Sequence, residues 1–327
     1  MTTDYSRTED DHHQHRSKLA TLGDLATLAY PLMPTAAMCA VAKAYGRLRA
    51  RLEPHRFRTL VDNLSRVPGV TPEEARRLAR RYVEDREVRT LLLTLSAQME
   101  LSDMEQLFRV EGVEHLDEAL RRGKGAFLLL SHVHSLGGFL AVAMLRKMGY
   151  DVQVALPSME DPWSDSRLRA LMSRITGRRP KVHEMVCGFY CQFNLRPIAE
   201  RLRKNVIVAQ TGDGWHSAAF VDCDFFGQRL PFTTGVISAA RSLGAAIVPM
   251  FVTGDAPRLS FVCEPPMTVQ GGKEEVALAV RAYVARLEHH LKGNLHAWEH
   301  WTVPSTFDSM LALRQKTLRE KYIIGHD

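Results

Sequence analysis

From residue 125 onward, short apolar runs alternate with stretches in which apolar residues recur every three or four positions. The runs at 125–131, 151–156, 181–184, 205–210, 220–225, 246–252 and 259–264 read as strands, with helices between most of them. That alternation predicts an α/β fold: a mostly parallel sheet flanked by helices. Ahead of it, 55–122 reads as a set of helices. Thr71 is a cap, Pro72 takes the first helical position and Glu74 completes a capping box. The helix ending at Gly123 stops just before the first strand. Four parts are expected: a disordered polar tail at 1–18, a helical N-terminal region at 19–122, an α/β domain at 123–305 and a C-terminal tail at 306–327.

Residues 25–42 carry no charge and are followed by Lys43, Arg47, Arg49 and Arg51. Pro31, Pro34, Thr27 and Thr35 make the run weakly apolar, which disfavours a membrane span. Two readings stay open, an interfacial segment whose basic flank rests on anionic headgroups and an ordinary buried helical hairpin. The N-terminus does not assemble the ordered regions of a secretory signal, so none is expected.

Composition narrows the partners. The chain has 327 residues, 45% hydrophobic and 24% charged, with a net charge of +6 and a pI near 9.1. It is a globular protein that favours anionic partners, and it carries neither an RNA-binding aromatic signature nor a zinc-finger spacing. No nucleic-acid partner is expected. Cys39, Cys187, Cys191, Cys223 and Cys263 form no CxxC pair and read as reduced thiols. Cys187 and Cys191 with His183 fall short of a zinc ligand set, so no metal is expected.

The candidate chemistry centres on the step from strand to helix after residue 131. His132 lies there, at the carboxyl-terminal edge where open α/β sheets bind ligands, and imidazole can act as a base near neutral pH. The plainer alternative is a histidine satisfied by a loop carbonyl. His134 stands two residues on, and the amides of Gly137 and Gly138 at the helix start are candidates to hold an oxyanion. Arg174 and Arg196 are candidates to clamp an anionic substrate. Phe226 and Gly227 with Thr234 and Gly235 are candidates to shape an acyl slot and open a helix toward an anion, although packing and capping are their commoner roles. Trp298 and Trp301, three apart, would share a helix face, in headgroups or in the core. Arg241 reads as a solvent-facing helical residue.

Several blocks in order resemble the bacterial lipid A biosynthesis acyltransferase family, relatives of the lysophospholipid acyltransferases. They are the stretch from Val110 through Leu128-Leu-Leu-Ser-His132, Gln210-Thr-Gly-Asp213, Asp224-Phe-Phe-Gly227 through Gly235, Ala239-Ala-Arg241 through Pro249, and Trp298-Glu-His-Trp301. The resemblance runs from about Arg56 to Trp301. It implies transfer of a fatty acyl group from an acyl-carrier-protein or coenzyme A thioester to a hydroxyl or amine of a lipid, glycolipid or secondary-metabolite acceptor. The thioester is a co-substrate, and no other cofactor is implied. A peripheral position on the cytoplasmic face of the inner membrane is implied too.

The family pairs a histidine with an acid that follows after four intervening residues. Here that position is Gly137, and counted from His134 it is Phe139. Three explanations compete. Asp213 supplies the acid from the end of another strand, His134 relays instead, or the chain has kept the fold and become a non-catalytic acyl or lipid binder or accessory subunit. The reading favoured is acyl transfer, with His132 as base and Asp213 as orienting acid.

Overall fold

The computed structural model describes residues 33–96, 98–156, 189–190, 194–214 and 219–312. The expected strand at 181–184, Arg174, His183, Cys187, Cys191 and the tail at 1–18 lie outside the described residues.

Three helices lead the described chain: α1 (Thr35–Leu52), α2 (Pro54–Leu64) and α3 (Pro72–Leu95). Thr71 caps α3 as expected, its hydroxyl accepting from the Glu74 amide at 3.2 Å, but Glu74 does not complete the box: its carboxylate takes Arg77 at 3.0 Å, and with Glu73 it complements the positive helix end. Gly46 lets α1 lie tightly on α3, since a Cβ there would sit 2.5 Å from the Val83 carbonyl oxygen. Two short helices follow, α4 (Leu101–Glu105) and α5 (Val113–Leu120), and between them runs β1 (Phe108–Glu111). This strand corrects the all-helical reading of 55–122. Four residues at a sheet edge are too few to display a period of two.

The main sheet has seven strands in the order β1, β9 (Arg258–Cys263), β8 (Ala246–Asp255), β2 (Ala126–Leu130), β5 (Ile207–Thr211), β3 (Val152–Leu156) and β4 (Phe189–Tyr190). Every pairing is parallel except β8 with β9. Strand β2 shows why its sequence is an unbroken apolar run. Phe127 and Leu129 enter one core while Ala126, Leu128 and Leu130 enter the other, so both faces are covered. Helix α6 (Ser135–Lys147) packs on the second face, and α9 (Lys273–Gly293) sends Tyr283, Val284 and Leu287 into the first. Helices α7 (Leu195–Leu202) and α8 (Gly235–Leu243) complete the crossovers.

The run at 220–225 is a strand, but it belongs to a separate hairpin, β6 (Phe220–Phe225) with β7 (Gln228–Thr233), not to the main sheet. Phe226 at φ +47° and Gly227 at φ +71° make its two-residue turn. Such a left-handed pair suits the twist of a hairpin. Residues 306–312 are helical rather than a tail, and Phe307 packs edge-on against Trp301 at 5.6 Å.

Candidate active site

The register of the sheet creates the site. Leu130, the last residue of β2, pairs with Thr211, the last residue of β5. Two residues further along each strand come His132 and Asp213, so adjacent parallel strands deliver an imidazole and a carboxylate side by side at their carboxyl ends. Gly212, between Thr211 and Asp213, keeps this turn tight, because a Cβ there would meet Tyr283 at 2.8 Å and Leu129 at 2.9 Å. The Tyr283 hydroxyl and the Gly212 amide both donate to the Leu130 carbonyl, at 2.8 and 2.9 Å.

Asp213 is fully buried and receives four N–H contacts. The His132 amide lies 3.0 and 2.9 Å from its two oxygens, the His132 Nδ1–H donates to Oδ1 at 2.8 Å, and the Trp298 indole N–H donates to Oδ2 at 2.9 Å. Burial alone would raise the carboxyl pKa. The positive end of His132, its hydrogen bond, His300 and the Trp298 donor outweigh burial and hold Asp213 well below the ordinary carboxylate range. An ionised carboxylate only accepts, so Nδ1 of His132 must carry the proton. Nε2 then bears the lone pair in the neutral ring, and 30% of the side chain remains exposed. Burial pulls the His132 pKa down, but the Asp213 charge and hydrogen bond win and raise it.

His300 lies behind the pair, its ring 4.6 Å from that of His132 and its Nε2–H donating to the Asp213 carbonyl at 2.9 Å. Burial first, then the nearby His132, push it down to about 4, so it is neutral where His132 titrates. His132, Asp213 and His300 lie close enough together to suggest metal ligands. The donor pattern argues otherwise. Both lone-pair positions of each Asp213 oxygen face an N–H.

The other expected site residues fall elsewhere. His134 is fully buried, and its Nδ1 accepts from the Arg89 guanidinium at 2.9 Å, with the His296 ring edge-on at 5.8 Å. The relay and substrate-binding readings of His134 are therefore corrected, because its ring faces a buried cluster beneath the site. The Gly137 amide is committed to the His134 carbonyl, which removes it from the expected oxyanion pair. Gly138 is buried beside Leu130. Arg196 opens α7 with its side chain 84% exposed and paired with Glu200 at 3.2 Å, one turn along the same helix. Phe226 packs against Phe225 and its amide donates to Glu288 at 2.9 Å, so with Gly227 it serves the hairpin turn. Thr234 donates from amide and hydroxyl to the Ala219 carbonyl, and Gly235 begins α8. Arg241 donates to the Gly271 carbonyl at 3.3 Å.

Sequence reasoning missed the roles of Trp298 and His300. The two tryptophans do not share a helix face, since Trp298 is extended between two short 3₁₀ turns, and both are buried. The Trp298-Glu-His-Trp301 block carried the signal, but its contact with Asp213 spans 85 positions of chain.

The sequence model described as bacterial lipid A biosynthesis acyltransferase matches residues 9–301. The chain belongs to this family. Phosphatidylinositol mannoside acyltransferase of Mycobacterium tuberculosis (strain CDC 1551 / Oshkosh) is 26% identical over 228 residues, which cover 66% of this chain and 66% of that relative. Within the family framework, this chain has Gly137 at the motif's acid position and brings a carboxylate to the histidine from β5 instead.

Proposed function

We propose that the protein is an acyltransferase that moves a fatty acyl group from a carrier-protein or coenzyme A thioester to a hydroxyl or amine of a lipid or glycolipid. The observation that carries this reading is the His132–Asp213 pair, buried on the acid side and open on the base side. In the proposed step, Nε2 of His132 takes the acceptor's proton as the acceptor oxygen or nitrogen attacks the thioester carbonyl. Asp213 stabilises the imidazolium that forms. Collapse of the tetrahedral intermediate breaks the carbon–sulfur bond, and His132 returns the proton to the departing thiolate. The reading needs no cofactor beyond the thioester.

The test is mass-spectrometric turnover of acyl carrier protein and acyl coenzyme A panels with phospholipid and glycolipid acceptors in vesicles. An acylated lipid together with free thiol is expected. Thioester binding without product would make the protein a non-catalytic acyl binder on the same fold.

The same reading includes peripheral attachment to the cytoplasmic face of the inner membrane. Among the described residues no helix is long and apolar enough to cross a membrane. Helix α1 nonetheless exposes Val41, Leu48 and Leu52 at 55%, 49% and 70%, spaced seven and four apart, with Arg47 and Arg51 beside them. Such a stripe suits an anionic bilayer surface, where the leucines bury and Arg51 meets headgroups, while Arg47 is paired with Glu84 at 2.8 Å. The double substitution Leu48→Asp, Leu52→Asp is expected to weaken co-flotation with vesicles containing phosphatidylglycerol at least about ten-fold, from lost burial and added repulsion. Unchanged flotation would remove α1 from the membrane contact.

A further inference from the structure

We infer that the segment 294–303 is a strap that fixes the acid of the acyl-transfer site, with Trp298 and His300 as its positioning residues; this rests on the His132–Asp213 reading above. The strap runs antiparallel to the loop that carries His132. The His134 amide donates to the Ala297 carbonyl at 2.7 Å, the Glu299 amide donates to the His132 carbonyl at 2.9 Å, and Val133 bridges Trp298 between them. The strap therefore holds the backbone of the base on one side while its side chains hold the acid on the other.

Its own position is over-determined. Asn63 of α2 donates to the carbonyls of Trp301 and Val303 at 2.8 and 2.7 Å and accepts from the Thr306 amide at 3.1 Å. The Trp298 indole packs between Phe225 at 5.1 Å and Trp301 at 4.8 Å, with its N–H donating to Asp213 Oδ2 at 2.9 Å. Asp213 follows a glycine and precedes another, so its own turn supplies little stiffness. Without the indole N–H, Oδ2 keeps only the His132 amide, which it shares with Oδ1, so the carboxylate loses the one hold that is independent of His132 and its aim at Nδ1 loosens. His300 acts on the main chain of the same residue, through the Asp213 carbonyl. Its low pKa keeps it from adding a second positive charge beside the imidazolium.

The experiment compares Trp298→Phe, His300→Leu and His300→Gln with the native protein and with His132→Ala. Phe keeps the aromatic packing and removes only the N–H, and Gln keeps an N–H donor near the position of Nε2. For Trp298→Phe, kcat is expected to fall about ten- to a hundred-fold, as for loss of one hydrogen bond to a charged group. KM for the thioester should stay within about two-fold, since the strap touches the acid rather than the substrate. The acid limb of the pH–rate profile should move to lower pH, and the downfield NMR resonance of the His132 Nδ1 proton should broaden or vanish. His300→Leu should show the same pattern and His300→Gln should recover most of the rate. If Trp298→Phe does not fold, the His300 pair carries the comparison. A folded Trp298→Phe with native kcat and an unmoved pH profile overturns the strap's role. Full activity in His132→Ala would instead overturn the acyl-transfer reading on which it rests.

Discussion

Asp213→Asn is expected to lower kcat by up to about 10⁴-fold, the effect of losing tautomer control in a comparable hydrolase dyad. The cause here is geometric. Both oxygens of Asp213 accept from N–H groups, so an asparagine, with one oxygen, must turn its amide nitrogen toward a donor on one side or the other. If the nitrogen faces Trp298, a buried donor meets a donor. If it faces His132, it donates to Nδ1 and drives the proton to Nε2, which removes the lone pair that the acceptor needs. His132→Ala removes the base outright and should cost at least as much. Steady-state transfer rates with purified variants check both, and native-like rates in Asp213→Asn would discard the displaced acid.

The pH dependence follows from the same pair. The His132 pKa is raised, so kcat/KM should climb with pH through a midpoint above the ordinary imidazole value of about 6.5. In Asp213→Asn that midpoint should fall. Stability has two edges. The Asp213 contribution is present above the ordinary carboxylate pKa and is lost as pH falls through its depressed value, while that of His132 is present below its ordinary pKa and lost as pH rises through its raised one. The pair stabilises the fold most between about pH 4 and 6.5.

Gly137→Glu, which restores a carboxylate at the family's motif position, is expected to destabilise the protein and to return no activity. A Cβ at 137 would lie 3.0 Å from the His134 Cβ and 3.0 Å from Val252 Cγ1, tighter than such contacts normally come. Overpacking of this kind costs about 1–3 kcal/mol, and a carboxylate forced into the same buried space adds to it. No rate is recovered because Nδ1 of His132 already has its acid in Asp213. Chemical denaturation and transfer assays on this variant separate the two arrangements. A stable and faster Gly137→Glu would show that the loop after β2 can still seat the motif acid. From sequence alone, a failed restoration would count against catalysis; with Asp213 in place it is the expected outcome.

The open base and the buried acid were legible in the chain to different degrees. His132 could be read because it follows a short apolar run bounded by glycine, which reads as a strand covered on both faces. Asp213 could be nominated because it ends a second such run, but nothing in the spacing said that β2 and β5 are neighbours. His134 was read wrongly for a related reason: two histidines two residues apart look equivalent in sequence. The left-handed turn at His134, φ +46°, carries the second ring into the interior against Arg89.

The sequence by itself determined the family and most of the elements, β1, the helix at 306–312 and the turns around Trp298 excepted, since apolar periodicity, caps and glycine stops act over a few residues and leave their mark locally. It also determined that the motif acid was missing. Only the tertiary structure decided which carboxylate lies against His132. Sheet order and the Leu130–Thr211 register place Asp213 beside His132, and packing of Trp298 against Phe225 aims the indole at the carboxylate. Those contacts join residues about 80 positions apart, and such pairings are fixed by which faces must be buried together, a property of the whole fold that no local pattern carries.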